Sequence, residues 1–268
     1  INEYGKQSKR IVPSRRLDEG NLIDVVRHVG PNGYAWPPTS GNAWSRSFID
    51  SVFPIQEDIY KICPDLYLSA LVPLYGLIKR VSEPQALWRI HGKNASWQQS
   101  LDERVQCQVR LWEHCFQSLE SCGKEKGIQI DLQELRANSW WHKIDRTIEE
   151  IVALLPAGEK LILVDEGQWG PGSDIAGRHC IPFPEKNGQY WGLPANDQDA
   201  IEETERLRQA GANIMAIVWP SFWWLEYYTG LNQYLRCTYA CLIENERVVI
   251  FDLKSASNIR TERGKDKR

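Results

Sequence analysis

A chain of 268 residues with 42% hydrophobic and 25% charged residues has the make-up of a globular protein, long enough for one large or two modest domains. Its net charge of -3 argues against bulk attraction to nucleic acid or anionic lipid, so neither is expected as a partner. The longest mostly apolar run, Leu66–Ile78, is 13 residues and is broken by Pro73; roughly 20 are needed to cross a bilayer, so no integral membrane segment is expected.

The seven Cys are scattered and include no CxxC pair, which excludes a zinc ribbon or a thioredoxin-type motif. Free thiols suit a reducing compartment, and a cytoplasmic location follows as the expectation. Twelve Trp against a single Met point to rings in a cleft or at the core margin. The chain opens on "INEYGKQSKR", with Ile in place of Met, and reads as a piece of a longer protein.

In chain order, a polar and basic start leads to "GNLIDVVRHVG", where Leu22, Val25, Val26 and Val29 keep a helical period. A Pro/Gly/Asn loop, "PNGYAWPPTSGNAW", follows. "SRSFIDSVFPI" predicts a short helix capped by Ser45. "CPDLYLSALVPLYG" predicts a buried helix with Pro64 in its first turn and Asp65 in its dipole field. "IKRVSEPQALWRI" alternates enough for two short strands about a turn at Ser82–Pro84. A long helix over Leu101–Cys122, broken by Gly123–Gly127, and a second over Leu132–Leu155, stopped by Pro156, complete this part.

The remainder alternates. "KLILVD" and "NIMAIVW" are apolar strands, and the helix 197–211 lies between them. "SFWWLEYYTGLNQYL" is partly helical, and "CTYACLIENERVVIFDL" is a hairpin turning at Asn245. Strands without a polar face, separated by helices, predict an α/β fold with a covered parallel sheet. The tail from Lys254, with six basic and two acidic residues, is expected to be disordered.

Three stretches could carry chemistry together: "YAWPPTSGNAW", "CPDLYL" and "WRIHGKN". A Thr-Ser-Gly-Asn corner lies between two Trp, a carboxylate starts a helix, and a His follows a candidate strand. This order resembles the acceptor-side half of family 2 glycosyltransferases, inverting enzymes of GT-A fold. The resemblance covers about residues 1–97. It implies a partial GT-A half-domain over 1–97, a helical linker over 98–157, a Rossmann-like α/β domain over 158–253 and the tail 254–268. It also implies transfer of a sugar from a nucleotide-sugar donor to a hydroxyl of a carbohydrate or lipid-linked acceptor, with inversion.

On that resemblance Asp65 is the catalytic base, and His91 lies near metal and diphosphate. A divalent metal, Mn or Mg, is the implied cofactor of the complete enzyme. Trp36, Thr39, Ser40, Gly41, Asn42, Trp88, Arg89 and Lys93 become the substrate-binding set, Arg89 and Lys93 complementing phosphate charge. Flat rings with one edge donor, as at Trp36, Trp44 and Trp88, suit sugar faces. The chain departs from the family in lacking a strand and Asp-x-Asp-type motif before residue 20, so a fragment without the donor-binding half is expected.

Each residue also has a plain reading. Asp65 can serve only the helix dipole, Thr39–Asn42 and His91 only turns, and each Trp only packing. The competing functional reading is a non-catalytic carbohydrate-binding or interaction module. The second half resembles the Rossmann-like domain of unassigned role that follows some bacterial family 2 glycosyltransferases. Its loop "EGQWGPGSDIAG" places Gly167, Gly170, Gly172 and Gly177 off the dinucleotide fingerprint, and no GK[ST] is present. That loop is expected to be plain, with an anion cradle of backbone amides as the alternative, and a separate enzyme built on the Asp165 loop as a third possibility. "WPSFWWLEYY" reads as core, with a ligand wall as the alternative.

Overall fold

The computed structural model describes residues 4–6, 11–61, 63–87, 89, 100–170 and 174–256. Two compact units divide the chain: Ile1–Gln99 with Val105–Ile144, and Ser100–Arg104 with Asp145–Arg268. Among the described residues, no helix is long and apolar enough to cross a membrane.

The first unit is built from helices. They are α1 (Ile23–Val29), α2 (Arg46–Val52), α3 (Glu57–Tyr60), α4 (Pro64–Leu71), most of α5 (Leu101–Glu125), α6 (Leu132–Asn138) and the start of α7 (Trp140–Leu154). Their ends follow local chemistry. Ser45 Oγ accepts from the Phe48 amide (3.3 Å) to start α2, and Asp131 accepts from the amides of Gln133 and Glu134 to start α6. Pro64 opens α4, where its missing N–H costs nothing. On α5, Trp112, Cys115, Phe116 and Leu119 recur at helical spacing and pack with Val26, Phe48, Leu66, Leu71 and Leu135 into one core. Phe116 is fully buried in it.

Three local expectations change in this unit. The α5 helix runs through Gly123 to Glu125 and the chain turns at Gly127, which has a φ of 71°. Gly123 serves the returning chain instead, since a Cβ there would stand 2.8 Å from Ile128 O. The helix expected over 132–155 is two helices, because Ser139 between them is extended and spends its hydroxyl on His142. Of the two strands expected over 78–90, the described residues show only one bridge, between Gly20 and Ile78. Residues 81–87 are exposed and Pro84 removes a ladder donor, so nothing there repays strand pairing.

The second unit holds the sheet. Its five strands run in the order β2 (His179–Pro182), β1 (Lys160–Val164), β5 (Ala212–Val218), β7 (Val248–Ala256), β6 (Tyr239–Glu244). A two-residue hairpin, β3 (Glu185–Lys186) with β4 (Gln189–Tyr190), stands beside it. The helices α8 (Asp197–Gln209), α9 (Trp223–Tyr227) and α10 (Thr229–Thr238) belong to the same unit. The α/β class is therefore correct, but the parallel sheet is only half so. The strands β2, β1 and β5 are parallel, whereas β7 joins β5 antiparallel and β6 joins β7 antiparallel. A hairpin cannot return parallel to itself, so the pair turning at Asn245 could extend the sheet only with one strand reversed.

Burial explains the strand sequences. Leu161 to Val164 and Ile214 to Val218 are all buried, so both faces of the central strands are covered. Met215, Ile217, Phe251, Leu207 and Leu231 share the core with Trp224. The α8 helix is capped by Asn196, carries Asp197 and Asp199 in its first turn, and places Arg206 and Arg208 in its last, the order its dipole favours. The tail expectation falls partly outside the description: β7 extends to Ala256, and residues 257–268 are not described.

Candidate functional site

The sequence-predicted site divides into placed and unplaced residues. Asp65 lies in the first turn of α4, half-buried, after Cys63 and Pro64. Among the described residues no hydrogen bond or ion pair reaches its carboxylate. Its charge adds to burial in pushing the neighbouring Cys63 thiol up, so that thiol stays protonated. Arg89 is exposed. Trp88, His91 and Lys93 lie outside the described residues.

The loop before α2 is a fastened structure. Trp36 is half-buried and its Nε1 donates to Pro31 O (2.9 Å). The Trp44 ring stands 5.7 Å from that of Phe48. Thr39–Gly41 form a single 3-10 turn, exposed at all three residues. Asn42 closes it by donating from Nδ2 to Pro37 O (3.0 Å) and Pro38 O (3.4 Å). Gly41 is demanded by packing, for a Cβ there would meet Pro37 Cβ at 2.8 Å. Trp36 and Asn42 thus spend their described hydrogen bonds on the loop itself and Trp44 packs against Phe48 of α2, while Thr39 and Ser40 are exposed. Trp36 and Leu66 share one core, so loop and helix rest on the same apolar base. Among the described residues no hydrogen bond joins Asp65 to that loop.

A second constellation in this unit has the look of chemistry without its access. Ser139 Oγ is 2.8 Å from His142 Nδ1, and His142 Nε2 is 3.0 Å from Glu113 Oε1. Arg136 holds Glu113 with two bonds of 2.6 and 2.9 Å. The line Ser-His-carboxylate matches a nucleophilic relay in spacing. The hydroxyl, however, is on a residue only 1% exposed, and the imidazole stacks on Phe116 at 5.7 Å. No substrate carbon can reach such an oxygen, so the network fastens α5 to α6 and α7.

That network has a pH signature. Hydrogen bonding from Arg136 holds the Glu113 carboxyl below the usual range, against its partial burial. A depressed folded-state value stabilises above the unfolded value, about 4, and that stabilisation is lost as pH falls through the folded one. Melting temperatures of the wild type and Glu113→Gln should therefore differ at pH 7 and converge below about pH 4. A difference that persists at pH 3 would remove the carboxylate from this role.

In the second unit the acidic pair after β1 separates. Asp165 is 3% exposed and turns inward, taking the amides of Gly167 and Trp169, each at 2.9 Å. Burial raises its pKa, against those two donors. The Gly-rich loop is accordingly organised by its own carboxylate. The described amides of Gly167 and Gly170 are spent inside it, which removes them from an anion cradle. An enzyme built on Asp165 is also disfavoured by its burial. Asp165→Ala should orphan two amide donors and cost about 2–3 kcal/mol in urea unfolding; a cost under about 0.5 kcal/mol would show that water replaces the carboxylate.

Glu166 does the opposite. Its backbone is left-handed, with a φ of 54°, followed by Gly167 at 70°. Its Oε1 accepts from Trp223 Nε1 (2.7 Å), Trp224 Nε1 (3.2 Å) and Ser221 Oγ (3.3 Å). "WPSFWWLEYY" is thus core and wall at once: Trp224 is 1% exposed, Trp223 is half-buried and Tyr227 is 70% exposed. Sequence reasoning singled out the loop that Glu166 opens and the Trp-rich stretch but gave no reason to join them. The available signal was an acidic pair ending an apolar strand just before Gly167. Nearby, Trp191 and Leu193, both exposed, line a cavity of about 210 Å³ with Asp199 and Glu203. Among the described residues no three His, Cys, Asp or Glu side chains converge to hold a metal ion.

Comparison with known proteins is informative over a short stretch. Across 74 residues the chain is 36% identical to a protein of Nostoc sp. described as an uncharacterized glycosyltransferase. That stretch is 28% of this chain and 23% of the relative, so the match spans under a quarter of the relative's length. No protein-family model and no solved structure matches the chain.

Proposed function

We propose that this protein serves glycosyl transfer of the family 2, inverting kind, with the first unit contributing the acceptor side of a GT-A domain. The observation that carries the reading is Asp65, a half-buried carboxylate without a described partner at the start of α4. The similarity to a glycosyltransferase supports it.

In this reading the acceptor is a carbohydrate or lipid-linked hydroxyl and the donor a nucleotide sugar. Asp65 takes the hydroxyl proton as the oxygen attacks the anomeric carbon. The bond from that carbon to the diphosphate oxygen breaks, and the nucleoside diphosphate leaves with the electron pair. A base so placed contributes about 10²–10⁴-fold. Arg89 and Lys93 complement the diphosphate, Trp36 and Trp88 flank the sugar, and the hydroxyls of Thr39 and Ser40 serve acceptor binding. A divalent cation, with His91 as its one ligand proposed from this chain, supplies further positive charge when bound. The proton movement above is assigned to Asp65.

The test is nucleotide binding. A nucleoside diphosphate with manganese, at about 100 times its Kd, stabilises the folded protein by about 2.7 kcal/mol and raises its melting temperature. No shift with any of the common nucleoside diphosphates would rule out catalysis by this chain alone and leave two readings, an acceptor half that needs a separate donor half and a non-catalytic carbohydrate-binding module; substitution of Asp65 in the complete enzyme separates them.

A further inference from the structure

We propose that the carboxyl edge of the sheet in the second unit is a saccharide-binding site, anchored by Glu166 and walled by Trp223 and Tyr227. The proposal is independent of the role of Asp65, which belongs to the other unit.

Position comes first. The strands β1 and β5 are parallel neighbours, so the segments leaving their carboxyl ends emerge on the same side. In α/β sheets that edge is where ligands are taken, because the loops there converge from adjacent strands. Glu166 lies two residues past the end of β1, and Ser221, Trp223 and Trp224 follow the end of β5.

The carboxylate itself is arranged unusually. Three donors, all neutral, converge on Oε1. Among the described residues no hydrogen bond reaches Oε2 and no cation pairs with the group. One oxygen therefore fixes the side chain, while the other retains the acceptor capacity of an ionised carboxylate. Holding Glu166 in the left-handed region costs about 1 kcal/mol or more, a strain that a second Gly beside Gly167 would relieve. The strain separates the two acids: Asp165 builds the loop, and Glu166 faces the aromatic residues. A donor after β1 also lacks an acceptor, for the buried Trp169 Nε1 has no partner among the described residues.

The surroundings select the ligand. A carboxylate without a cation repels phosphate and other carboxylates, which disfavours an anionic group at this oxygen. The indoles turn their N–H edges to the carboxylate, so their faces are not folded around it as an ammonium cage requires. Tyr227 stands edge-on to Trp223 with ring centroids 5.8 Å apart and is largely exposed, leaving apolar ring surface beside a charged acceptor. Tyr190 completes the wall: burial, and then the negative charge of Glu166, keeps its phenol protonated as a donor. A ligand with hydroxyl donors on its rim and apolar C–H faces satisfies all of these groups, and a sugar ring is such a ligand.

The test follows the indole N–H resonances of Trp223 and Trp224 in proton–nitrogen correlation spectra of the whole chain. The probes are methyl glycosides of glucose, galactose, mannose and N-acetylglucosamine, each to about 50 mM, a range that reveals millimolar affinity. At least one sugar should shift both resonances saturably. Glu166→Gln should weaken that sugar by about tenfold or more, since it removes a charged acceptor while retaining an oxygen for the indoles. Should Glu166→Gln fail to fold, Tyr227→Ala at an exposed ring keeps the question open to measurement, with a several-fold weakening expected. The proposal is overturned if none of the four sugars gives a saturable shift, if the shift survives the folded variant, or if tetramethylammonium alone produces it.

Discussion

Asp65→Asn is expected to lower turnover of a nucleotide sugar by about 10²–10⁴-fold in the full gene product, with little change in folding. Asparagine keeps the shape of aspartate but cannot accept a proton from an attacking hydroxyl. The group is half-buried and has no described partner whose loss would echo through the fold. Removing a negative charge from the first turn of α4 should cost only about 0.3–1 kcal/mol through the helix dipole. The two explanations of Asp65 therefore predict opposite patterns. A catalytic base shows a large loss of kcat with a near-constant melting temperature. A residue serving only the dipole shows a small stability loss and unaltered turnover, and that outcome would remove Asp65 from the mechanism.

Trp224→Ala is expected to destabilise the second unit by about 3–5 kcal/mol. The ring is 1% exposed and lies 4.9 Å from Tyr228, 5.7 Å from Phe183 and 5.7 Å from Trp223, centroid to centroid. Alanine would leave a cavity among side chains from several elements, and it would remove one of the donors that hold Glu166. Trp224→Phe separates these effects: it keeps most of the volume and loses the N–H, so it should cost about 1–2 kcal/mol. Hydrogen exchange of the β1 and β5 amides reads the change in the unit where it occurs. If Ala and Phe cost the same, the ring is not packed as a core residue, and the hydrogen bond alone accounts for the effect.

Comparing Asp65 with Glu166 shows how far a sequence reaches. Asp65 stands out in the sequence because its neighbours carry a recognisable order, a Pro-started helix after a Trp-flanked loop. The structure places the helix as expected and leaves Asp65 half-buried, while the partners expected near it, Trp88, His91 and Lys93, lie outside the described residues. The loop residues Trp36 and Asn42 were expected to face a sugar; the structure adds that their side-chain nitrogens pin the loop to Pro31, Pro37 and Pro38. A polar side chain within reach of its own backbone usually takes that nearby partner, which composition cannot reveal.

By itself the sequence determined what depends on neighbours within about a turn of chain. That includes the helix start at Ser45, the dipole-ordered α8, the apolar strands β1 and β5 and the turn at Asn245. Only the tertiary structure decided that β7 enters the sheet antiparallel. Only it could send two adjacent acids to different fates, Asp165 into its own loop and Glu166 to indoles 57 and 58 positions later. Capping and periodicity are short-range and written in the order of residues. The meeting of Glu166 with Trp223 and Trp224 arises because β1 and β5 pair side by side, a contact set by burying both strands and not by any residue near either group.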